Sequence, residues 1–303
     1  MTATSTGSRF GVLAAVAPEA FDVCARLAPD TVDLRRLPDG RGDAAFLLPD
    51  WADRETLHAL PRLERLRVVQ VMSAGTDWIE DHVPPWAMLC NARGARDAPV
   101  AEWVVGALLG DAYGQFTAAR TRRWSDALPR ELQGATVLIV GFGSIGRAVQ
   151  RRLEPFGVNV IGVARHARDG VHATGELADL VGSADAVVVL APLMPETAGL
   201  LDAALLARMR DGALLVNAGR GGVVDTDALV AELRSGRLRA VLDVVDPEPL
   251  PDDHPLWELA LAITPHNAGD TQAADERAMR FGAEQLARFA RGEPLLNVMG
   301  EGG

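Results

Sequence analysis

Short apolar runs alternate with amphipathic segments along the first third of the chain. We interpret the following runs as buried strands: RFGVLAAVA (Arg9 to Ala17), AAFLLP (Ala44 to Pro49), LRVVQVM (Leu66 to Met72) and AMLCN (Ala87 to Asn91). The segments near Pro18 to Leu27 and Asp53 to Leu63 carry apolar residues at helical spacing and are predicted helices. Strands that alternate with helices in this way indicate a parallel sheet covered by helices.

A second alternating series begins at Gly134. Its six apolar runs, all predicted strands, are ATVLIV, VNVIGV, DAVVVLA, ALLVNA, RAVLDVV and LALAIT. Because helical segments separate these runs, this part of the chain predicts a doubly wound parallel sheet of the dinucleotide-binding type.

A long helical pattern from Asp97 to Trp124 separates the two series, and we interpret it as a domain connector, an oligomer contact or both. A last amphipathic helix, predicted from Thr271 to Gly292, would return to the first domain and make it discontinuous. We therefore predict an α/β fold with two Rossmann-like domains, doubly wound parallel sheets and an interdomain active-site cleft. Residues 1–96 and 270–303 would form a flavodoxin-like substrate domain, and residues 97–269 a dinucleotide-binding Rossmann domain.

Charge and composition exclude several kinds of partner. The net charge of −11 argues against nucleic acids and anionic membranes. No apolar run is long enough to span a bilayer and the N-terminal residues lack the features of a signal peptide, so we expect a cytoplasmic protein. Two cysteines are too few for a disulfide framework or a zinc cluster, and we predict no metal site.

All 30 basic residues of the chain are arginines. The absence of lysine excludes a Schiff base, a pyridoxal-phosphate anchor and the lysine of a phosphate-binding P-loop. Any anion that this protein binds is therefore held by arginine or by backbone amides.

The hexapeptide GFGSIG places Gly141, Gly143 and Gly146 between a predicted strand and a predicted helix. In this context the first glycine allows a tight turn, the second lets the backbone approach a pyrophosphate, and the third lets helix and strand pack closely. The amides and the positive dipole end of the helix N-terminus would hold the pyrophosphate. The motif therefore predicts a bound dinucleotide.

The acid that bonds the adenosine ribose in such sites lies about 20 residues further on, at the end of the second strand. Here that strand ends at Ala164, and Arg165 follows. An aspartate would repel a 2′-phosphate, whereas Arg165, with help from Arg168 or His166, offers donors for one. The alternative interpretation of Arg165 is a solvated loop charge. We favour NADP(H) as the cofactor, with NAD(H) as the second choice.

Three later stretches carry candidate catalytic residues. VNAGRGGVVD places Arg220 after a strand, LDVVDPEPLP contains Asp243 and Glu248, and ITPHNAG places His266 after a strand and a proline. With GFGSIG and LAPLMPETAGLLD, these stretches resemble the D-isomer-specific 2-hydroxyacid dehydrogenases, a family that includes glyoxylate/hydroxypyruvate reductases and D-3-phosphoglycerate dehydrogenases. The resemblance covers most of the chain and is strongest from residue 100 to residue 270.

The resemblance implies hydride transfer between a nicotinamide cofactor and a small 2-keto acid or D-2-hydroxy acid, such as glyoxylate or hydroxypyruvate. His266 would be the general acid in reduction and the base in oxidation, while Glu248 would hold its ring and favour the protonated form. Arg220 would bind the substrate carboxylate and polarise the keto oxygen. The family, together with the apolar helix after Asp97, also implies a homodimer.

Further binding residues follow from the same resemblance. Asp243 would contact the nicotinamide carboxamide, and the loop of Ser73, Ala74 and Gly75 would hold the substrate carboxylate through backbone amides. The remaining cofactor contacts would be Ser144, Ile145, Pro192, Ala218, Gly219 and Gly269. The chain departs from the family pattern at Ala164, where an acid is usual, and in the HNAG sequence that begins at the catalytic histidine.

Two alternative functions stay open at this point. Relatives with the same fold oxidise formate or phosphite, using a similar arginine and histidine on a small anion. Related transcriptional corepressors are non-catalytic dinucleotide sensors that keep the fold and carry partner-binding grooves and tails. This chain has neither a basic patch nor a disordered tail, which favours the enzyme.

Overall fold

The computed structural model describes residues 11–300, so the Arg9 and Phe10 of the first predicted strand lie outside the described residues. The chain divides into two compact units. One comprises the chain up to Arg96 together with the chain from Thr271 onward, and the other runs from Asp97 to Asp270. None of the helices in this described part combines the length and the apolar character needed to cross a membrane.

Twelve strands and ten α-helices, together with short 3-10 turns, make up the regular structure of the described residues. The strands are β1 (Val12–Val16), β2 (Val32–Arg36), β3 (Phe46–Leu48), β4 (Val68–Gln70), β5 (Met88–Cys90), β6 (Thr136–Val140), β7 (Asn159–Ala164), β8 (Val171–Ala173), β9 (Ala186–Val189), β10 (Leu214–Asn217), β11 (Arg239–Leu242) and β12 (Ala262–Ile263). The helices are α1 (Phe21–Leu27), α2 (Arg54–Ala59), α3 (Asp97–Ala112), α4 (Gln115–Thr121), α5 (Ser144–Leu153), α6 (Leu177–Leu180), α7 (Ala203–Arg208), α8 (Thr226–Arg234), α9 (Leu256–Leu259) and α10 (Gln272–Ala290).

The first unit is built on a five-stranded sheet with the order β2-β1-β3-β4-β5, in which every neighbouring pair is parallel. This order is the flavodoxin-like one. The hydrophobic pattern missed β2, since its sequence VDLRR is half polar and only its first residue is buried. An edge strand pairs on one side only, so it tolerates polar residues that a central parallel strand would not.

Helix α10 packs on the same sheet. Its Ala283 and Leu286 are buried in one cluster with Phe46 and Leu48 of β3. The apolar face predicted for the tail is therefore covered by the first unit. Cys24 of α1 lies in this core as well, and burial raises the pKa of its thiol to about 12.

The second unit contains a seven-stranded parallel sheet with the order β12-β11-β10-β9-β6-β7-β8. The chain reverses its winding between β6 and β9, and open α/β sheets bind ligands at the carboxyl ends of strands beside such a switch point. The pattern missed only β8, a three-residue strand at the sheet edge. The predicted α/β class and the two doubly wound parallel sheets are confirmed.

The single long helix predicted from residue 97 to residue 124 is wrong. Helix α3 ends at Ala112, Gly114 adopts a left-handed conformation with φ 64°, and α4 begins at Gln115. A positive φ interrupts the helical hydrogen-bond ladder, and glycine adopts it without steric cost. Helix α4 then ends at Thr121, so the exposed Trp124 lies beyond both helices.

Candidate active site

The GFGSIG turn joins β6 to α5 and has the close contacts that its glycines allow. Gly141 has φ 97°, and a Cβ there would lie 2.3 Å from the amide nitrogen of Ala191. A Cβ on Gly146 would lie 3.1 Å from the carbonyl oxygen of Gly141, so helix and strand pack without room for a side chain. At Gly143, by contrast, a Cβ would meet nothing within 4 Å. The turn thus presents open space at its middle glycine.

This open space lies at the start of α5. No side chain caps the helix at Gly143, so the first amides of α5 are available to an anion. The Ser144 hydroxyl donates to Asp97 Oδ1 at 3.1 Å, which leaves the backbone amides of Ser144 and Ile145 as donors. A bare helix N-terminus behind a glycine turn suits a pyrophosphate through its amides and its dipole. The residues present therefore fit a dinucleotide.

The end of β7 has an ion pair in place of the usual acid. Ala164 ends the strand, and Arg165 Nη2 lies 2.9 Å from Glu196 Oε1, with both side chains largely exposed. Arg168 donates from Nη2 to the carbonyl oxygen of Phe142, inside the glycine turn. Arg168 thus contacts the GFGSIG turn, while Arg165 pairs with Glu196, a residue of the MPET sequence that was missed.

Arg220 lies in a turn that follows β10. Asn217, the last residue of β10, is only 2% exposed, and its amide donates from Nδ2 to the Arg220 carbonyl at 3.1 Å. The Asn217 Oδ1 accepts from the Gly219 amide at 3.1 Å, and Arg220 Nη1 donates to the Gly219 carbonyl at 2.8 Å. Asn217 therefore fixes the turn that presents the arginine. Sequence reasoning missed this role, although a polar residue at the end of an apolar strand is a recognisable signal.

His266 and Glu248 meet directly. His266 Nδ1 lies 2.9 Å from Glu248 Oε2, and Glu248 Oε1 accepts from the Val245 amide at 3.0 Å. The histidine side chain is 46% exposed, so the ring is accessible while Nδ1 is held by Glu248. Its backbone has φ 53°, a left-handed conformation that costs about 1–3 kcal/mol outside glycine and marks functional positions.

The carboxylate of Asp243 accepts hydrogen bonds from the loop that carries His266. This carboxylate is only 4% exposed, and its Oδ1 accepts from the Thr264 hydroxyl at 2.5 Å and from the Asn267 amide at 3.0 Å. Its Oδ2 accepts from the Ala268 amide at 3.0 Å. Asp243 thus positions the histidine loop, and its contact with a nicotinamide carboxamide stays a prediction.

Gly221 holds the arginine turn close to the segment that carries Glu248. A Cβ at Gly221 would lie 1.9 Å from the carbonyl oxygen of Val245, whereas a Cβ at Gly222 would meet only side-chain atoms, with Leu193 at 3.3 Å and Asp246 Oδ2 at 3.6 Å. Alanine at 221 must therefore separate the Arg220 turn from the chain beside Glu248.

We expect Gly221→Ala to lower the free energy of unfolding by about 2 kcal/mol, since overpacking of this kind costs about 1–3 kcal/mol. We also expect a loss of turnover of about 100-fold, because a displacement near 1 Å suffices for such a loss. Thermal unfolding and steady-state kinetics measure the two effects, with Gly222→Ala as the matched control. Equal behaviour of the two variants would contradict this account.

The loop of Ser73, Ala74 and Gly75 belongs to the first unit and follows β4. Ser73 Oγ donates to the Gly75 carbonyl at 2.6 Å, and Trp78 Nε1 donates to Ser73 Oγ at 3.1 Å. Asn91 Nδ2 donates to the Ala74 carbonyl at 2.8 Å. Within residues 11–300, the amides of Ala74 and Gly75 have no acceptor. The loop is therefore braced through its carbonyls and side chains while two donors stay available.

The remaining predicted cofactor residues follow the carboxyl ends of strands in the second unit. Pro192 comes after β9, and its carbonyl accepts from the Thr197 hydroxyl at 2.6 Å. The Ala218 amide donates to the Val189 carbonyl at 3.1 Å, and Gly219 and Gly269 lie in the loops of Arg220 and His266. Among the described residues, no group of three or more His, Cys, Asp or Glu side chains is arranged to hold a metal ion.

Comparison with known proteins gives a consistent picture. The family model "D-isomer specific 2-hydroxyacid dehydrogenase, NAD binding domain" matches residues 108–268. The chain is 33% identical to the D-3-phosphoglycerate dehydrogenase of Methanocaldococcus jannaschii over 85% of this chain and 52% of that protein. It is 32% identical to the glyoxylate reductase of Thermofilum pendens, over 82% of this chain and 78% of that protein.

A solved structure adds the fold. The NADPH-dependent glyoxylate/hydroxypyruvate reductase of Sinorhizobium meliloti, in complex with NADP and sulfate, matches with a TM-score of 0.80 and 27% identity. The match covers 95% of this chain and 98% of that one. By contrast, the chain spans only about half the length of the phosphoglycerate dehydrogenases that it matches, 52% and 49% for two of them.

Proposed function

Because the chain belongs to the D-isomer-specific 2-hydroxyacid dehydrogenase family, we propose that it reduces a small 2-keto acid such as glyoxylate or hydroxypyruvate. NADP(H) is the proposed cofactor, and NAD(H) is the second choice. The observation that carries the proposal is the 2.9 Å contact between His266 Nδ1 and Glu248 Oε2, next to the braced turn of Arg220. The second unit would bind the dinucleotide, and the first would bind the substrate carboxylate.

In this proposal His266 moves the proton. A bound nicotinamide cofactor supplies the hydride. Glu248 holds Nδ1 of the ring, so that Nε2 donates the proton to the keto oxygen in reduction and accepts it in oxidation. The Glu248 carboxylate stabilises the imidazolium that precedes proton donation, as a fixed negative charge beside a ring nitrogen does.

Arg220 binds the substrate anion in this proposal, and the loop of Ser73, Ala74 and Gly75 is a second predicted anion-binding element. The guanidinium of Arg220 has the planar fork of donors that suits a carboxylate and a keto oxygen, and it stabilises the negative charge that develops during hydride transfer. The amides of Ala74 and Gly75, which have no acceptor among the described residues, are further donors for the carboxylate.

The proposal is tested by oxidation of NADPH and of NADH, measured side by side. The substrates are glyoxylate, hydroxypyruvate, pyruvate and phenylpyruvate, with formate and phosphite assayed in the oxidative direction. We expect reduction of glyoxylate or hydroxypyruvate, faster with NADPH. Oxidation of formate or phosphite instead would identify the alternative reaction, and cofactor binding without any turnover would identify a sensor.

We also expect a homodimer in solution. The segment after α4 exposes large apolar side chains: Trp124 is 96% exposed and Leu128 is 91% exposed. Exposed apolar side chains of this size, close together in sequence, favour a contact with another protein surface. Gel filtration with light scattering measures the mass, and a monomer of 32.2 kDa would overturn the expectation.

A further inference from the structure

The ion pair between Arg165 and Glu196 lies at the end of β7, the position at which dinucleotide-binding folds bond the adenosine ribose. Arg165 directly follows Ala164, the end of β7, where an acid would otherwise bond the ribose hydroxyls. Glu196 Oε1 lies 2.9 Å from Arg165 Nη2, so a carboxylate reaches this position from a different loop. The sequence shows that the usual acid is absent at residue 164. It does not show that the carboxylate of Glu196, from a different loop, lies beside Arg165 in the folded chain.

Sheet topology explains how the two loops meet. Strands β7 and β9 both pair with β6, on opposite sides of it. Their carboxyl ends therefore flank the GFGSIG turn that follows β6. The turn touches both neighbours, because Gly141 packs against Ala191 after β9 and Arg168 after β7 donates to the Phe142 carbonyl. Arg165 and Glu196 thus meet beside the turn that fits the pyrophosphate.

We infer that Arg165 and Glu196 together bind the group at the 2′ position of the adenosine ribose and so determine which dinucleotide is preferred. Glu196 accepts a hydrogen bond from a 2′-hydroxyl and so selects NAD(H), while Arg165 pairs with a 2′-phosphate and so selects NADP(H). The pair makes the protein a dual-cofactor enzyme, and Glu196 limits its preference for NADPH. This inference rests on the proposed function, because it concerns the cofactor of that same reaction.

Charge and exposure support the exchange of partners. The side chains of Arg165 and Glu196 are 61% and 55% exposed, and exposed ion pairs contribute little to stability because solvent screens them. Arg165 therefore leaves Glu196 for a phosphate at little cost, since a phosphate offers a stronger charge-assisted hydrogen bond. The Glu196 carboxylate then lies close to the phosphate and repels it, whereas with a 2′-hydroxyl it gains a hydrogen bond.

Three other charged or titratable side chains near this position, those of Arg168, His172 and Glu176, are already engaged. Arg168 donates to the Phe142 carbonyl, and His172 Nδ1 lies 2.8 Å from Glu176 Oε2. Glu176 also accepts from the Ala173 amide at 2.8 Å, which fixes its carboxylate at the start of the next helical turn. Glu196 is the carboxylate we assign to the ribose, because it is the one that contacts Arg165.

The test is the affinity for NADPH and for NADH, measured by isothermal titration calorimetry on the whole 303-residue chain. In Glu196→Gln we expect NADPH to bind about 5-fold more tightly and NADH about 5-fold more weakly, the effect of one charge at close range in water. In Arg165→Gln we expect NADPH to bind at least about 5-fold more weakly, with a smaller change for NADH.

The matched control is Glu102→Gln, which removes the same charge from an exposed ion pair. Glu102 pairs with Arg152 at 3.3 Å, near the other end of α5 from the glycine turn. An unchanged ratio of the two affinities in Glu196→Gln, or equal weakening of both cofactors, would overturn the inference. Binding by wild type without turnover of any 2-keto acid would refute the proposed function alone.

Discussion

Replacement of Arg220 by alanine is expected to lower kcat/KM for the 2-keto acid by about 1,000-fold, because one charge-stabilising donor in an active site contributes about 100- to 1,000-fold. The guanidinium would bind both the carboxylate and the keto oxygen, so the loss appears in KM and in kcat. Cofactor affinity should stay nearly unchanged. Steady-state kinetics and calorimetry with NADPH measure the two quantities separately.

Two control variants make this result specific. Arg210→Ala removes the same charge from an arginine that pairs with Asp185 at 2.7 Å. Asp185 directly precedes β9, so this pair lies at the amino ends of the strands, whereas Arg220 follows a carboxyl end. The Arg210→Ala variant should keep wild-type kinetics. Arg220→Lys keeps the charge but not the planar fork, so its activity should lie between those of wild type and alanine. Loss of cofactor binding in Arg220→Ala would show that this arginine does not serve the substrate.

Much of the fold could be predicted from the sequence because the sheets are parallel. Central parallel strands are buried on both faces and give continuous apolar runs such as ATVLIV, which the structure places in β6. The strands that were missed, β2 and β8, lie at sheet edges, where half-polar sequences and three-residue lengths give little signal. The predicted long helix was wrong because a single glycine, Gly114, adopts a positive φ and so interrupts the helix.

The candidate site was predictable to the extent that each residue follows a strand or a recognisable motif. Arg220 and His266 come after β10 and β12, and Glu248 lies between them in a proline-rich segment. Residues that act through spatial proximity could not be found in this way. The carboxylate of Glu196 reaches Arg165 only because β7 and β9 flank the same strand, which depends on the strand order rather than on sequence distance.

Asp243 shows a second limit of sequence reasoning. The family resemblance suggested one role, a contact with the cofactor, whereas the structure adds three hydrogen bonds to the loop that carries His266. A buried carboxylate must be hydrogen-bonded, and these partners come from residues about 20 positions further along the chain. Its burial depends on tertiary packing, which the short sequence LDVVD does not reveal.

Replacement of His266 by alanine is expected to lower kcat by about 100- to 10,000-fold, the usual contribution of a positioned general acid. The pH dependence should change as well. Reduction needs a protonated group at this position and oxidation an unprotonated one, so in wild type the reductive rate has a limb that falls with rising pH and the oxidative rate a limb that rises. The alanine variant should lose both of these limbs, and steady-state rates from pH 5 to 9 in each direction measure them.

The histidine at position 82 offers a control for general effects of removing an imidazole. His82 lies in the first unit, in the turn Glu80–His82 after the Ser73–Gly75 loop, and its replacement by alanine should leave the profile unchanged. Glu248→Gln keeps a group of the same size beside Nδ1 but removes the charge that stabilises the imidazolium, so kcat for reduction should fall more than kcat for oxidation. If His266→Ala kept the wild-type pH profile, the proton would come from another group, and the contact with Glu248 would have to be explained as a support for the left-handed backbone at residue 266.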